Sequence, residues 1–166
     1  MHIDNDQYPK AGWLDSLFDL MKQGYDIVGP EAWCLYPPKT SGHCVVGNQI
    51  FPRDYFPYKR CTKPDEKWTY IGCGGMLLKT EVYRKIGMFD ERFSPCYFED
   101  PNLTFDAIRA GYKLGWQPNC QIEHLAHQTI SKQTTFDKNK QFIISWQKFA
   151  EKWYPYFPSE KSYGRS

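Results

Sequence analysis

Apolar positions change their period twice in the first thirty residues. Met1 to Asp4 reads as the end of a strand; Trp13, Leu14, Leu17, Phe18 and Met21 then recur every three or four positions. That spacing predicts a helix over 11–23, stopped by Gly24, with Tyr25-Asp26-Ile27-Val28-Gly29 as a short buried strand behind it. From 37 to 67 the period is lost. Pro37-Pro38, Ser41-Gly42, Pro52, Pro57 and Pro64 sit among polar and aromatic residues, which is turn chemistry around one expected strand at 45–51. A stretch this long with so little pattern is often a functional loop or lid.

Regular pattern returns in the second half. Residues 68–78 are β-like and interrupted by glycine, Thr80 stands as the N-cap of a short helix ending near Gly87, and 89–98 is a loop rich in aromatics. Asp100-Pro101 predicts a helix start, with aspartate as the cap and proline in the first helical position; Leu103, Ala107 and Ile108 form the inner stripe and Gly111 closes the helix. Short strands at 113–117 and 120–124 lead to His124 and His127. A last helix over 135–153 puts Phe142, Ile143, Trp146, Phe149, Ala150 and Trp153 on one face, with Thr134 and Asp137 as a capping pair and Pro155 as its stop.

Composition narrows the function classes. The 166 residues are enough for one domain with a core. A net charge of +2, with Lys and Arg dispersed among Asp and Glu, leaves no electrostatic footprint for nucleic acid. Apolar runs such as Met76-Leu77-Leu78 and Phe142-Ile143-Ile144 are too short to span a bilayer, and no secretory leader opens the chain, so a cytoplasmic protein, at most peripheral to the membrane, is expected. The six cysteines contain no C-x-x-C pair and are expected to be reduced; Cys34, His43, Cys44 and Cys61 match no standard zinc-finger spacing.

Several residues carry candidate chemistry. Asp4 and Asp6, two apart at a strand-to-loop corner, can offer hard oxygen ligands to Mg²⁺ or Mn²⁺, or can be an ordinary acidic turn. Taken alone, Asp100 is either a helix cap or a base that takes a proton from an attacking hydroxyl. Gly72, Gly74 and Gly75 permit close approach of backbone to a ligand, or mark a bulge. Trp13, Trp68, Tyr97 and Trp116 can stack on sugar faces, although core packing accounts for at least half of such rings.

Taken in order, Asp4-Asn5-Asp6, Pro9-Lys10-Ala11-Gly12-Trp13-Leu14, Gly72-Cys73-Gly74-Gly75-Met76-Leu77-Leu78, Gly87-Met88-Phe89-Asp90-Glu91-Arg92-Phe93, Phe98-Glu99-Asp100 and Ala110-Gly111-Tyr112 form an ensemble. It resembles the second half of a family 2 glycosyltransferase with the glycosyltransferase A fold. The resemblance implies an α/β chain with a mixed sheet: a partial nucleotide-diphospho-sugar transferase fold lacking the N-terminal nucleotide-binding βαβ half. Residues 1–130 would be the metal and acceptor half, and 131–166 a C-terminal amphipathic helix and tail. It further implies inverting transfer from a nucleotide-sugar donor to a hydroxyl of a glycan or lipid-linked acceptor, with Mn²⁺ or Mg²⁺ as cofactor. By the same resemblance Asp6 is the direct metal ligand of a D-x-D motif, Asp4 meets the ribose or a metal-bound water, and His124 is the metal-binding histidine. His127 competes for that role or touches phosphate; Asp100 is the base with Glu99 as helper; Gly74, Gly75, Tyr97 and Trp13 line the donor and acceptor side.

Pro101 departs from the branched apolar residue common at that place, and the family's first ~100 residues have no counterpart. The isolated chain is therefore expected to bind a sugar nucleotide weakly and turn over little, with a missing N-terminal half or a second copy of itself as partner. A non-catalytic carbohydrate-binding or scaffold module is the first rival. A metal-dependent hydrolase is the second, and the absence of a paired-histidine motif counts against it.

Overall fold

A computed structural model describes residues 1–35, 44–46, 49–51, 58–60, 69–117, 120–124, 132 and 134–156. In chain order the elements are β1 (Gln7–Pro9), α1 (Trp13–Lys22), β2 (Ile27–Gly29), β3 (Ala32–Leu35), β4 (Cys44–Val46), β5 (Gln49–Phe51), β6 (Tyr58–Arg60), β7 (Thr69–Ile71), β8 (Leu77–Leu78), α2 (Thr80–Ile86), α3 (Glu99–Arg109), β9 (Leu114–Trp116), β10 (Ile122–His124) and α4 (Lys138–Trp153). Short 3-10 turns cover Glu91–Phe93 and Tyr154–Tyr156. The architecture is mixed α/β with small sheets.

Strand β2 organises the centre, lying between β8, to which it is antiparallel, and β9, to which it is parallel. Side chains alternate across a strand, so adjacent residues serve different cores. Val28 and Leu77 join Leu17 and Cys120 in the cluster beneath α1, while Ile27 and Leu78 join Val82, Leu103 and Ala107 in the cluster beneath α2 and α3. Amphipathic α4 adds a third cluster, laying Trp146, Phe149, Ala150 and Trp153 on Phe93 and Phe105. Strands β6, β3 and β7 form a separate antiparallel sheet, tied to α3 where Thr104 Oγ1 donates to Ile71 O at 3.4 Å.

Two polar ties fix the order of these layers. Asp26 enters β2 with its carboxylate 2.6 Å from Lys79 Nζ and accepting the Lys113 amide at 2.8 Å, so it joins the ends of β2, β8 and β9. Between α3 and α4, buried Asn102 accepts from Trp153 Nε1 and Lys152 Nζ, each at 3.0 Å, and donates to Asp106 Oδ2 at 3.2 Å. Lys152 also reaches Asp106 Oδ2 at 2.6 Å.

The helical periods at 11–23 and 135–153 correspond to α1 and α4, and the strands expected at 25–29, 113–117 and 120–124 to β2, β9 and β10. Several boundaries are corrected. Met1 to Asp4 forms no strand; His2 N donates to Met76 O at 2.7 Å, and the strand follows the acids because the chain turns at Asp4–Gln7. The single strand expected at 45–51 is two, β4 and β5, paired through Val45↔Ile50, in keeping with the Gly47-Asn48 turn signal between them. The rest of 37–67, with the expected lid, lies outside the described residues apart from β6.

Thr80 is the first helical residue of α2 and Lys79 its cap. Helix α3 starts two residues earlier than its Asp-Pro signal, with Phe98 as the cap, so Asp100 is not an N-cap. Ile108 is 41% exposed, and the inner face of α3 comprises Pro101 to Phe105 with Ala107, because it packs on strands and on α4 together. Asp137 alone caps α4, accepting from the Asn139 and Lys140 amides at 2.9 and 3.1 Å, and the helix therefore begins at Lys138 with Thr134 left in coil. Among the described residues no helix is long and apolar enough to cross a membrane.

Asn102→Ala would strand the buried indole N–H of Trp153 and remove three hydrogen bonds between α3, α4 and Asp106. A loss of about 2–3 kcal/mol in unfolding free energy is expected from urea denaturation; an unchanged midpoint would mean that this network does not hold α4.

Candidate active site

The acidic stretch near the start is a closed turn. Gln7 N donates to Asp4 O at 3.2 Å, and Gln7 Oε1 accepts from Asp4 N at 2.9 Å, a reciprocal pair that fixes Asp4-Asn5-Asp6 as a rigid corner. Gln7 then begins β1, where it pairs with His124 of β10, so Asp6 adjoins the ladder position of His124. Opposite the turn runs the glycine stretch. A Cβ at Gly74 would overlap the Gln7 side-chain amide and lie 3.4 Å from Asp4 Oδ2; at Gly75, whose φ is +82°, it would strike Ile122 of β10. Gly75 is required by its left-handed backbone, and a side chain at Gly74 would have to displace the Gln7 amide that closes the turn.

The second acidic pair arrives from the other direction. Tyr97 and Phe98 take left-handed φ angles of 76° and 68°, which cost about 1–3 kcal/mol each in residues with side chains. Helix α4 holds them there. Phe142 packs against both rings at 5.2 Å, Phe149 stacks obliquely on Phe98 at 5.3 Å, and Ser145 Oγ donates to Cys96 O at 2.8 Å. The left-handed corner delivers Glu99 and Asp100 as the first two residues of α3. Asp100 accepts hydrogen bonds from its own backbone amide and from that of Cys73, and a Cβ at Gly72 would lie 3.5 Å from its Oδ2.

Burial, the Glu99 charge and, more weakly, Asp4 push Asp100 from an ordinary 3.8 up to about 8; the two amide bonds oppose the rise and lose. Burial, followed by the Asp4 charge, also raises Glu99, whose Oε2 is buried with no hydrogen-bond partner among the described residues. The Cys73 thiol, between the two glycines, is raised by burial and then by Asp100, Glu99 and Asp4. Three carboxyl groups thus feel one another across Gly72-Cys73-Gly74, and among the described residues no ion pair with Lys or Arg relieves them. Such a site holds a proton near neutral pH or draws a cation. Hard oxygens with one orphaned acceptor suit a divalent ion, although among the described residues no three His, Cys, Asp or Glu side chains converge as a ligand set.

Of the residues expected from sequence, Asp4, Gly74, Glu99 and Asp100 are thus brought together, with Asp6 at the adjoining turn and Gly75 behind it. Tyr97 turns its ring to Phe142, and its hydroxyl is raised by burial, Cys96 and Glu99. Trp13 and Trp116 pack against apolar clusters on opposite sides of the central sheet. For His124 the backbone register gives the position; His127, Trp68 and the side chains of Cys34, His43, Cys44 and Cys61 lie outside the described residues. Gln7 and Cys73 were missed by the sequence reading. The signal for Gln7 is its place three residues after Asp4, the spacing of a reciprocal cap; Cys73 offers only its glycine neighbours.

With Asp100 folded at about 8 and ordinarily at 3.8, the folded state keeps a proton that the unfolded chain gives up. That advantage is intact below pH 3.8 and is lost as pH rises through about 8. Asp100→Asn, neutral throughout, is therefore expected to melt near wild type at pH 4 and progressively above it towards pH 8. Thermal melts across that range check this, and a constant gap would refute it. No family model matches the chain, and neither a curated protein nor a solved structure does.

Proposed function

We propose that the chain carries the cation-binding and acceptor-side part of an inverting glycosyltransferase of family 2, with the glycosyltransferase A fold, acting on a nucleotide-diphospho-sugar. The observation that carries this reading is the placing of Asp100, a carboxyl poised near neutral pH, across Gly72-Cys73-Gly74 from the Asp4 turn. The order of motifs along the chain supports it, as does the release of Asp100 from the capping role that would otherwise account for it.

In this reading Asp100 takes the proton of the acceptor hydroxyl as its oxygen forms a bond to the anomeric carbon. The bond from that carbon to the diphosphate breaks, and its electron pair leaves on the phosphate. A base works best with a pKa near the working pH, which is where burial has put Asp100. Glu99 keeps Asp100 basic by like-charge repulsion and helps to hold the acceptor. Asp6, Asp4 and His124 would hold Mn²⁺ or Mg²⁺, which supplies positive charge to the departing diphosphate. The Gly72-Cys73-Gly74 backbone runs beside both carboxyls, with the open side at Gly72 left for the sugar; the further contacts that the motif order assigns to Gly75, Tyr97, Trp13 and His127 rest on that order alone.

Titration calorimetry with a panel of nucleotide sugars is expected to show binding that needs Mn²⁺ and is lost in Asp6→Asn. Asp100→Asn should retain donor binding while transfer falls about 10²–10⁴-fold. The wild-type rate should climb tenfold per pH unit and level off above about 8. Glycan binding unaffected by either substitution and by chelator would identify a lectin-like module instead, and release of sugar or phosphate without acceptor would identify a hydrolase.

A further inference from the structure

The apolar face of α4 contains one polar exception. Ser145 is fully buried between Trp146, Phe149 and the aromatic corner, at a position where an alanine would complete the stripe. A serine inside a helix ordinarily turns its hydroxyl back to the carbonyl four residues earlier. This one sends it out of the helix, donating to Cys96 O at 2.8 Å, and its oxygen accepts from Gln141 Nε2 at 2.9 Å. The same Gln141 nitrogen lies 3.4 Å from Ser94 O, and Lys148 Nζ donates to Arg92 O. Three side chains of one helix therefore terminate on three carbonyls of a single loop. Burying a hydroxyl in an apolar face costs free energy unless it is bonded, so the serine is stable there only while the loop keeps its path.

What that loop leads to gives the contact its meaning. Cys96 is followed by the two left-handed residues Tyr97 and Phe98 and then by Glu99 and Asp100. The carbonyl that Ser145 holds stands immediately before the corner, so a rotation at Cys96 would swing both carboxyl groups relative to Gly72-Cys73-Gly74.

We infer that Ser145, backed by Gln141, is a positioning residue for the acidic pair: by fixing Cys96 O it sets where the Glu99 and Asp100 carboxyl groups stand. Its importance for transfer rests on the glycosyltransferase reading; the positioning itself does not. The hydroxyl makes no contact with the carboxyls and acts through the backbone alone.

The test is the titration of Asp100 followed by carbon NMR of side-chain carboxyls in the full chain, which needs neither donor nor acceptor. Ser145→Ala is expected to bring the Asp100 midpoint down by about one pH unit or more, because a loosened corner lets water reach the carboxyl. Ser145→Thr, which restores the hydroxyl, should return it. Trp153→Phe removes a different α4 bond, the one to Asn102, and is expected to lower stability while leaving the midpoint in place. An unmoved midpoint in Ser145→Ala, or an equal fall in Trp153→Phe, would overturn the inference in favour of plain packing. Should Ser145→Ala not fold, Gln141→Met carries the same comparison. If the wild-type chain binds neither Mn²⁺ nor any nucleotide sugar while the midpoint still falls, the function reading fails and the positioning role stands; where transfer is measurable, Ser145→Ala should lower kcat with KM little changed.

Discussion

Two adjacent aromatic residues held in the left-handed region are the constraint on which the site depends. Neither Tyr97 nor Phe98 would adopt that backbone unaided, and the aromatic surface of α4 offsets the strain through Phe142 and Phe149. The strained corner makes Phe98 the helix cap and moves the start of α3 back by two residues, which converts Asp100 from a capping group into a side chain pressed against Cys73. A helix near the end of the chain therefore decides what an aspartate forty residues earlier can do.

The protonation of that aspartate follows from comparing magnitudes. A carboxylate in the first turn of a helix gains about 0.3–1 kcal/mol from the dipole, and each backbone amide it accepts adds to that. Enclosure by protein, with the Glu99 and Asp4 charges acting through a medium that screens poorly, exceeds these gains and leaves the proton on. The same crowding of like charge raises Glu99 and Cys73. Relief can come from a proton or from a cation, and the two compete for the same oxygens.

Much of the scaffold was legible because its elements obey a single period. Trp13 to Met21, Ile27-Val28 and the Phe142 to Trp153 stripe each report their structure through spacing alone, and the acids at both ends of the site stood out by type. What spacing could not convey is where one element presses on another. The Asp100-Pro101 pair carries a sound local signal for a helix start, and a tertiary contact 40-odd residues away overrides it. Gln7 and Ser145 are polar residues whose partners lie on other segments, and their bonds follow from the fold and not from their neighbours in sequence. The position of Asp6 beside the His124 ladder rung likewise depends on pairing between distant strands.

That pairing has a consequence for how the protein comes into being. Strands β1 and β10 are stitched together at their margin by Lys10 and Glu123, 113 positions apart in the chain. Contacts so remote in sequence close slowly, since the loop between them must first lose its freedom. The acidic corner at Asp4 can form early as a local turn, yet it finds its wall only when β10 arrives. The complete acidic site is then a property of the finished molecule, withheld from every intermediate in which the segment that carries β10 has not yet docked.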